Sequence, residues 1–142
     1  MRSFEYRHTV PREPAETFAF FADPANLARL TPRLLRLRIV EAPEHVGRGT
    51  RLRYRVGPLT WVAEIAEWDP PQGFADVQVR GPYRTWRHRH ELVGVAGGTE
   101  IRDRIEYRLR GGLLTRLLEP AHRAFLRTLF AHRSRRLDEL LA

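Results

Sequence analysis

The chain has 142 residues and a formal net charge of +8, carried by 25 basic residues that are all arginine. With no cysteine and no lysine, disulfides, thiolate nucleophiles, Schiff-base chemistry and a Walker-type phosphate loop are excluded. Serine stands only at Ser3 and Ser134, neither within a G-x-S-x-G elbow, so any chemistry falls to His, Asp, Glu, Tyr or Arg.

The length suits one domain over residues 1–142. No apolar run approaches the roughly 20 residues of a membrane span, and MRSFEYRHTV lacks a signal-peptide core, so a cytoplasmic protein without membrane insertion is expected.

Residues 3–10, SFEYRHTV, alternate Phe4, Tyr6, His8 and Val10 against polar neighbours and predict a half-buried strand. PAETFAFFAD then opens with a proline suited to a helical first turn. DPANLARLTP opens on an Asp23-Pro24 cap and stops at Thr31-Pro32. LLRLRIVEA (34–42) and GTRLRYRVG (49–57) return to a period of two, and in the second Leu52, Tyr54 and Val56 oppose Arg51, Arg53 and Arg55. Breaks at Gly57-Pro58, DPPQG (69–73), Gly81-Pro82 and Gly97-Gly98 divide the next stretch into four more strands, and such short connections imply an antiparallel meander. After Gly111-Gly112 the period becomes helical, with a stripe through Leu114, Leu118, Ala121, Phe125, Leu129, Leu137 and Leu140. Pro120 predicts a kink or a fresh start, and a helix from 120 to 141 would be about 33 Å long.

The order is one strand, two short helices, six antiparallel strands and a long helix, an α+β arrangement. A curved sheet with one apolar face and one amphipathic helix either collapses on the helix or grips it around a cavity. This order resembles the helix-grip superfamily (SRPBCC) of START lipid-transfer domains, Bet v 1-like proteins and polyketide cyclases/dehydrases. The local pieces that carry the resemblance are PAETFAFFADPANLARLTP, Trp61 with Ile65, Phe74-x-Asp76, Gly81-Pro82, Trp86-x-His88-x-His90, Gly98-Thr99, Asp103, Tyr107 and FAHRSRRLDELL. They are similar to a small stand-alone bacterial branch, from which Leu92 departs where a phenylalanine is expected. The resemblance implies a seven-stranded antiparallel curved sheet wrapped around the C-terminal helix. It also implies an internal cavity for a hydrophobic or amphipathic small molecule such as a lipid, quinone or polyketide-like compound. Because the superfamily holds carriers, sensors, cyclases and dehydratases, it implies the pocket and not the reaction.

In GPYRTWRHRHELVG (81–94), alternation puts Trp86, His88, His90 and Leu92 on the inner face and Arg87, Arg89 and Glu91 on the outer one. The turn at Ala96-Gly97-Gly98 brings back a strand whose inner face carries Ile101, Asp103, Ile105 and Tyr107, with Asp103 opposite His90 or His88. Three readings of this cluster are ordered. First is a polar network that satisfies itself, extending to Tyr107. Second is a set reading a polar group on an otherwise apolar ligand. Third is a His88–His90–Asp103 metal chelate, which ranks last for want of a further ligand, so neither metal nor cofactor is expected. A histidine oriented by an aspartate can also serve acid–base chemistry, which makes His88, His90 and Asp103 the catalytic candidates if the protein is a cyclase or dehydratase. Trp61 and Phe125 are read as core or pocket lining. The strand pattern leaves the face of Phe74 and Asp76 open, and the resemblance turns both inward. The expected ligand-binding set is therefore Trp61, Phe74, Asp76, Trp86, His88, His90, Asp103, Tyr107 and Phe125.

The arginines on the strands alternate onto the outer face among Glu91, Glu100 and Glu106, and those on the helix, Arg133 included, read as a surface patch. No recognition-helix or RNP-type motif accompanies them, so no specific nucleic acid is expected as a partner. A small hydrophobic ligand is the expected partner, and a homodimer is left open.

Overall fold

The computed structural model describes residues 1–142. Strand β1 (Arg2–Val10) leads into helices α1 (Pro14–Ala22) and α2 (Ala25–Leu30) and a 3-10 turn at Arg33–Leu35. Six strands follow: β2 (Leu37–Glu41), β3 (Arg51–Val56), β4 (Leu59–Asp69), β5 (Gly73–Arg80), β6 (Thr85–Val95) and β7 (Gly98–Arg108). A second 3-10 turn at Gly112–Leu114 precedes α3 (Thr115–Leu140). All seven strands form one antiparallel sheet in the order β1-β7-β6-β5-β4-β3-β2, with β1 closing onto the last strand.

Local chemistry explains the turns and the bend. The β6–β7 hairpin turns through two residues, with Val95 paired to Gly98 and Gly97 in the left-handed region at φ 83°. A Cβ at Gly98 would stand 2.0 Å from the Val10 carbonyl oxygen, so only glycine lets β7 pair with β1 there. Register shifts in the β2–β3 and β4–β5 ladders add residues to one strand, which raises the twist and bends the sheet around α3. Asp23 starts α2 as its sequence suggests, its Oδ1 accepting the Ala25 amide at 3.0 Å.

Three expectations need correction. The strand predicted from residue 34 begins only at Leu37, because a 3-10 turn follows Pro32 and Arg36 takes a left-handed conformation. Helix α3 runs unbroken through Pro120. This proline lies in the second turn of a helix whose first four amides lack intrahelical partners in any case, so it removes only one further bond near the free end. The buried line of α3 shares only Leu137 with the predicted one. Leu126, Phe130, Arg133, Ser134 and Leu137 are buried, whereas Leu114 and Leu118 are 63% and 53% exposed. Extended toward the helix start, the inward line falls on His122 and Glu119, which bond the hydroxyls of Tyr83 and Tyr107. A polar inner face satisfied by tyrosines carries no hydrophobic signal.

Two apolar clusters fill the space between sheet and helix. One includes Val10, Phe18, Leu30, Phe74, Leu92 and Ile101, and the other Phe4, Trp61, Ile105, Tyr107, Leu126 and Phe130. On β7 the clusters are separated by Asp103, and on β6 by His88 and His90, so the polar residues sit at the waist of the core.

Candidate functional site

Cross-strand pairing assembles the waist. Asp76 on β5 faces His88 on β6, Phe74 faces His90, and His90 in turn faces Asp103 on β7. The register left open by the sequence is thereby settled: His90 is the direct partner of Asp103, while His88 reaches the same carboxylate from one pair along. His88 Nε2 lies 2.8 Å from Asp103 Oδ1 in a hydrogen bond. His90 Nδ1 is 3.1 Å from that oxygen, close enough for an ion pair but outside hydrogen-bond geometry, and its Nε2 is 3.3 Å from Asp76 Oδ2. The two imidazoles lie nearly face to face with centroids 3.7 Å apart, and Phe74 stacks on His90 at 4.3 Å.

Two cations cannot share so dry a space, and the protonation states separate accordingly. Burial, followed by the charge of His90, pushes His88 down to about 4, so it is neutral at physiological pH. Burial also opposes a charge on His90, but the contacts with Asp103 and Asp76 outweigh it and raise this histidine above its usual value. Burial works against an ionised Asp103 as well, yet the hydrogen bond from His88 and the close contact with His90 hold its carboxyl well below the carboxylate range. The waist thus sets a neutral imidazole beside a second histidine whose protonated form is favoured by two acidic side chains.

This set faces a cavity of about 220 Å³ between the sheet, α2 and α3, and 21 of its 29 lining residues are hydrophobic. Trp61, Phe74, Asp76, Trp86, His88, His90 and Phe125 all line it. Asp103 stands behind the histidines and is not among the lining residues. Tyr107 is separate from the cluster, because its hydroxyl donates to Glu119 on α3. Arg133 was missed: it reads as one more surface arginine but is 8% exposed and lines the cavity with Tyr54 and Leu129. The signal that could have found it is its place one turn after Phe130 and four residues before Leu137 on the buried line of α3.

Asp76, His88 and His90 each bring a donor atom within 4.8 Å of the others, compact enough for a divalent ion. The carboxylate in this trio is Asp76 and not the Asp103 of the sequence reading. Asp103 holds His88 by one nitrogen, and Asp76 bonds His90, so the same geometry also closes as a hydrogen-bond network. On the outer face, Arg51 pairs with Glu64, Arg87 and Arg89 share Glu67, and Arg102 pairs with Glu100, which neutralises part of the basic surface. No helix is long and apolar enough to cross a membrane.

A curved seven-stranded sheet gripping a long helix around an apolar cavity defines a Bet v 1-like helix-grip protein. The chain belongs to the family described as polyketide cyclase / dehydrase and lipid transport, whose pattern it matches over residues 1–142. No curated protein matches it. Among solved structures it is similar to TTHA0849 from Thermus thermophilus, at 17% identity and a TM-score of 0.72 over 99% of this chain and 100% of that one. Ara h 8.0201 aligns at 18% identity and a TM-score of 0.63 over 96% and 97% of the two chains. A nucleoside-diphosphate sugar epimerase from Corynebacterium glutamicum aligns at 25% identity and a TM-score of 0.72, covering 96% of this chain. The chain spans only 28% of that protein's length.

Proposed function

We propose that the protein carries or senses a compact hydrophobic or amphipathic small molecule, held in the cavity between sheet and α3 with a polar group at the His88–His90–Asp76 waist. The observation that carries this reading is an apolar cavity with a small convergent polar set, the usual composition of a small-molecule site. Size narrows the class. An apolar cavity of about 150 Å³ takes one benzene ring, so 220 Å³ suits a bicyclic ring system or a medium-length chain better than a diacyl lipid. Native mass spectrometry of gently purified protein should find a co-purifying species of that size. Protein that emerges empty and then fails to take up naphthalene-sized compounds in titration would defeat the proposal.

A second reading, a cyclase- or dehydratase-type enzyme, is favoured by one specific feature. His88 lines the cavity as a neutral imidazole whose orientation is fixed by Asp103, the arrangement a general base requires. Turnover of a bound polyketide-like compound, abolished in His88→Gln with binding retained, would select this reading over simple carriage.

A further inference from the structure

An arginine side chain stays protonated under all conditions relevant to proteins, so a buried one requires a partner. Arg133 is 8% exposed, its guanidinium lies over the Phe130 ring at 4.9 Å, and its Nε has no hydrogen-bond partner. The ring face offsets part of the charge but supplies no acceptor. A second orphan reaches the same cavity from the sheet: the Trp61 indole Nε1 is buried without a partner, and Trp61 also lines the cavity. Tyr54 stacks on Trp61 with centroids 5.8 Å apart and completes a donor-rich stretch. Its hydroxyl is kept protonated, and so able to donate, first by burial and then by the charge of Asp76, while the charge of Arg133 acts in the opposite sense. Buried donors left unsatisfied are expensive, and a buried unpaired charge more so. Two of them in the wall of one cavity describe the shape of a missing acceptor.

We propose that Arg133 binds the carboxylate of the cavity's ligand, with Trp61 Nε1 and Tyr54 as further donors, so that the preferred class is a hydrophobic monocarboxylic acid. This rests on the cavity reading above and names the chemistry of its ligand. One guanidinium balances one negative charge, and planar two-point bonding to a carboxylate is the contact it makes best. A phosphate monoester would bring a second charge near Asp76, which lines the same cavity.

The probes are 2-naphthoate and its uncharged analogue 2-naphthalenemethanol, titrated calorimetrically into the full chain and into Arg133→Met. Wild type should prefer the carboxylate by about tenfold or more, equivalent to about 1.4 kcal/mol. R133M should lose that preference while binding the alcohol as wild type does. Without ligand, R133M should melt at or above the wild-type temperature, since an apolar side chain of similar length replaces an unpaired buried charge. Alcohol binding with no preference for the carboxylate would leave the cavity reading intact and overturn this inference. A preference that survives in R133M, or an R133M that melts lower, would overturn it too, the latter by showing that the guanidinium is already satisfied in the empty protein. If neither probe binds wild type, the cavity reading itself fails and this inference falls with it.

Discussion

Replacing Asp103 with asparagine keeps the size and shape of the side chain and removes only its charge. The carboxylate receives His88 Nε2 at 2.8 Å and has His90 Nδ1 at 3.1 Å, both on Oδ1, in a site where Asp103 is 6% exposed. A hydrogen bond to a charged group contributes about 1.5–3 kcal/mol net and a neutral one about 0.5–1.5 kcal/mol. The charged hydrogen bond from His88 and the ion-pair contact with His90 therefore lose about 2 kcal/mol together, below the roughly 3–5 kcal/mol of breaking a buried ion pair outright, because Asp76 still bonds His90. For a domain of this length, that corresponds to a melting point lower by about 8 °C. Differential scanning calorimetry and urea denaturation followed by circular dichroism would measure it, with the midpoint shifting and the m-value unchanged. A melting point within about 2 °C of wild type would refute the assignment of Asp103 as the anchor of both histidines.

The same carboxyl makes an acid prediction. Its folded-state value is depressed, so its contribution to stability is present above the unfolded value near 3.9 and is lost as pH falls toward the folded one. The stability gap between wild type and Asp103→Asn should therefore narrow as pH falls from about 5 toward 2 in urea titrations, and a gap that widens would contradict the sign. Leu126 is fully buried against the sheet, and Leu126→Ala should cost about 2–5 kcal/mol, whereas Leu117→Ala, at a position 78% exposed, should stay within about 0.5 kcal/mol. Equal effects in thermal melts would place α3 in a different rotation. If the Asp76–His88–His90 trio is closed by hydrogen bonds, elemental analysis of protein purified without added metal should find zinc, iron and copper well below stoichiometric; one equivalent would instead assign these three residues as ligands. Retention on nucleic acid through the arginine surface should fall steeply with salt and show no sequence preference, and selective binding at physiological ionic strength would reverse that expectation.

Much of the architecture was legible because period and punctuation are local properties. Alternation in WRHRH sorted Trp86, His88 and His90 inward and Arg87 and Arg89 outward, and the glycine and proline breaks counted the strands. The hairpin brought Asp103 to the histidines to within one pair, since a tight turn nearly fixes the register of its own strands. Outcomes that depended on partners distant in sequence were not legible. Tyr107 left the polar cluster because Glu119 on α3 lay within reach of its hydroxyl, and the helix turned Glu119 and His122 inward because Tyr107 on β7 and Tyr83 in the β5–β6 connection could satisfy them.

By itself the sequence determined the order of elements, the inner and outer faces of the β6–β7 hairpin and the absence of cysteine and lysine chemistry, all of which follow from neighbours along the chain. Only the tertiary structure decided that the sheet grips α3 around an open cavity, that Asp76 joins the histidines, and that Arg133 is buried with its Nε lacking a hydrogen-bond partner. The physical reason is the same in each case. Burial and pairing are relations between elements brought together by folding, and a charged residue on a helix looks identical in sequence whether it faces water or the core.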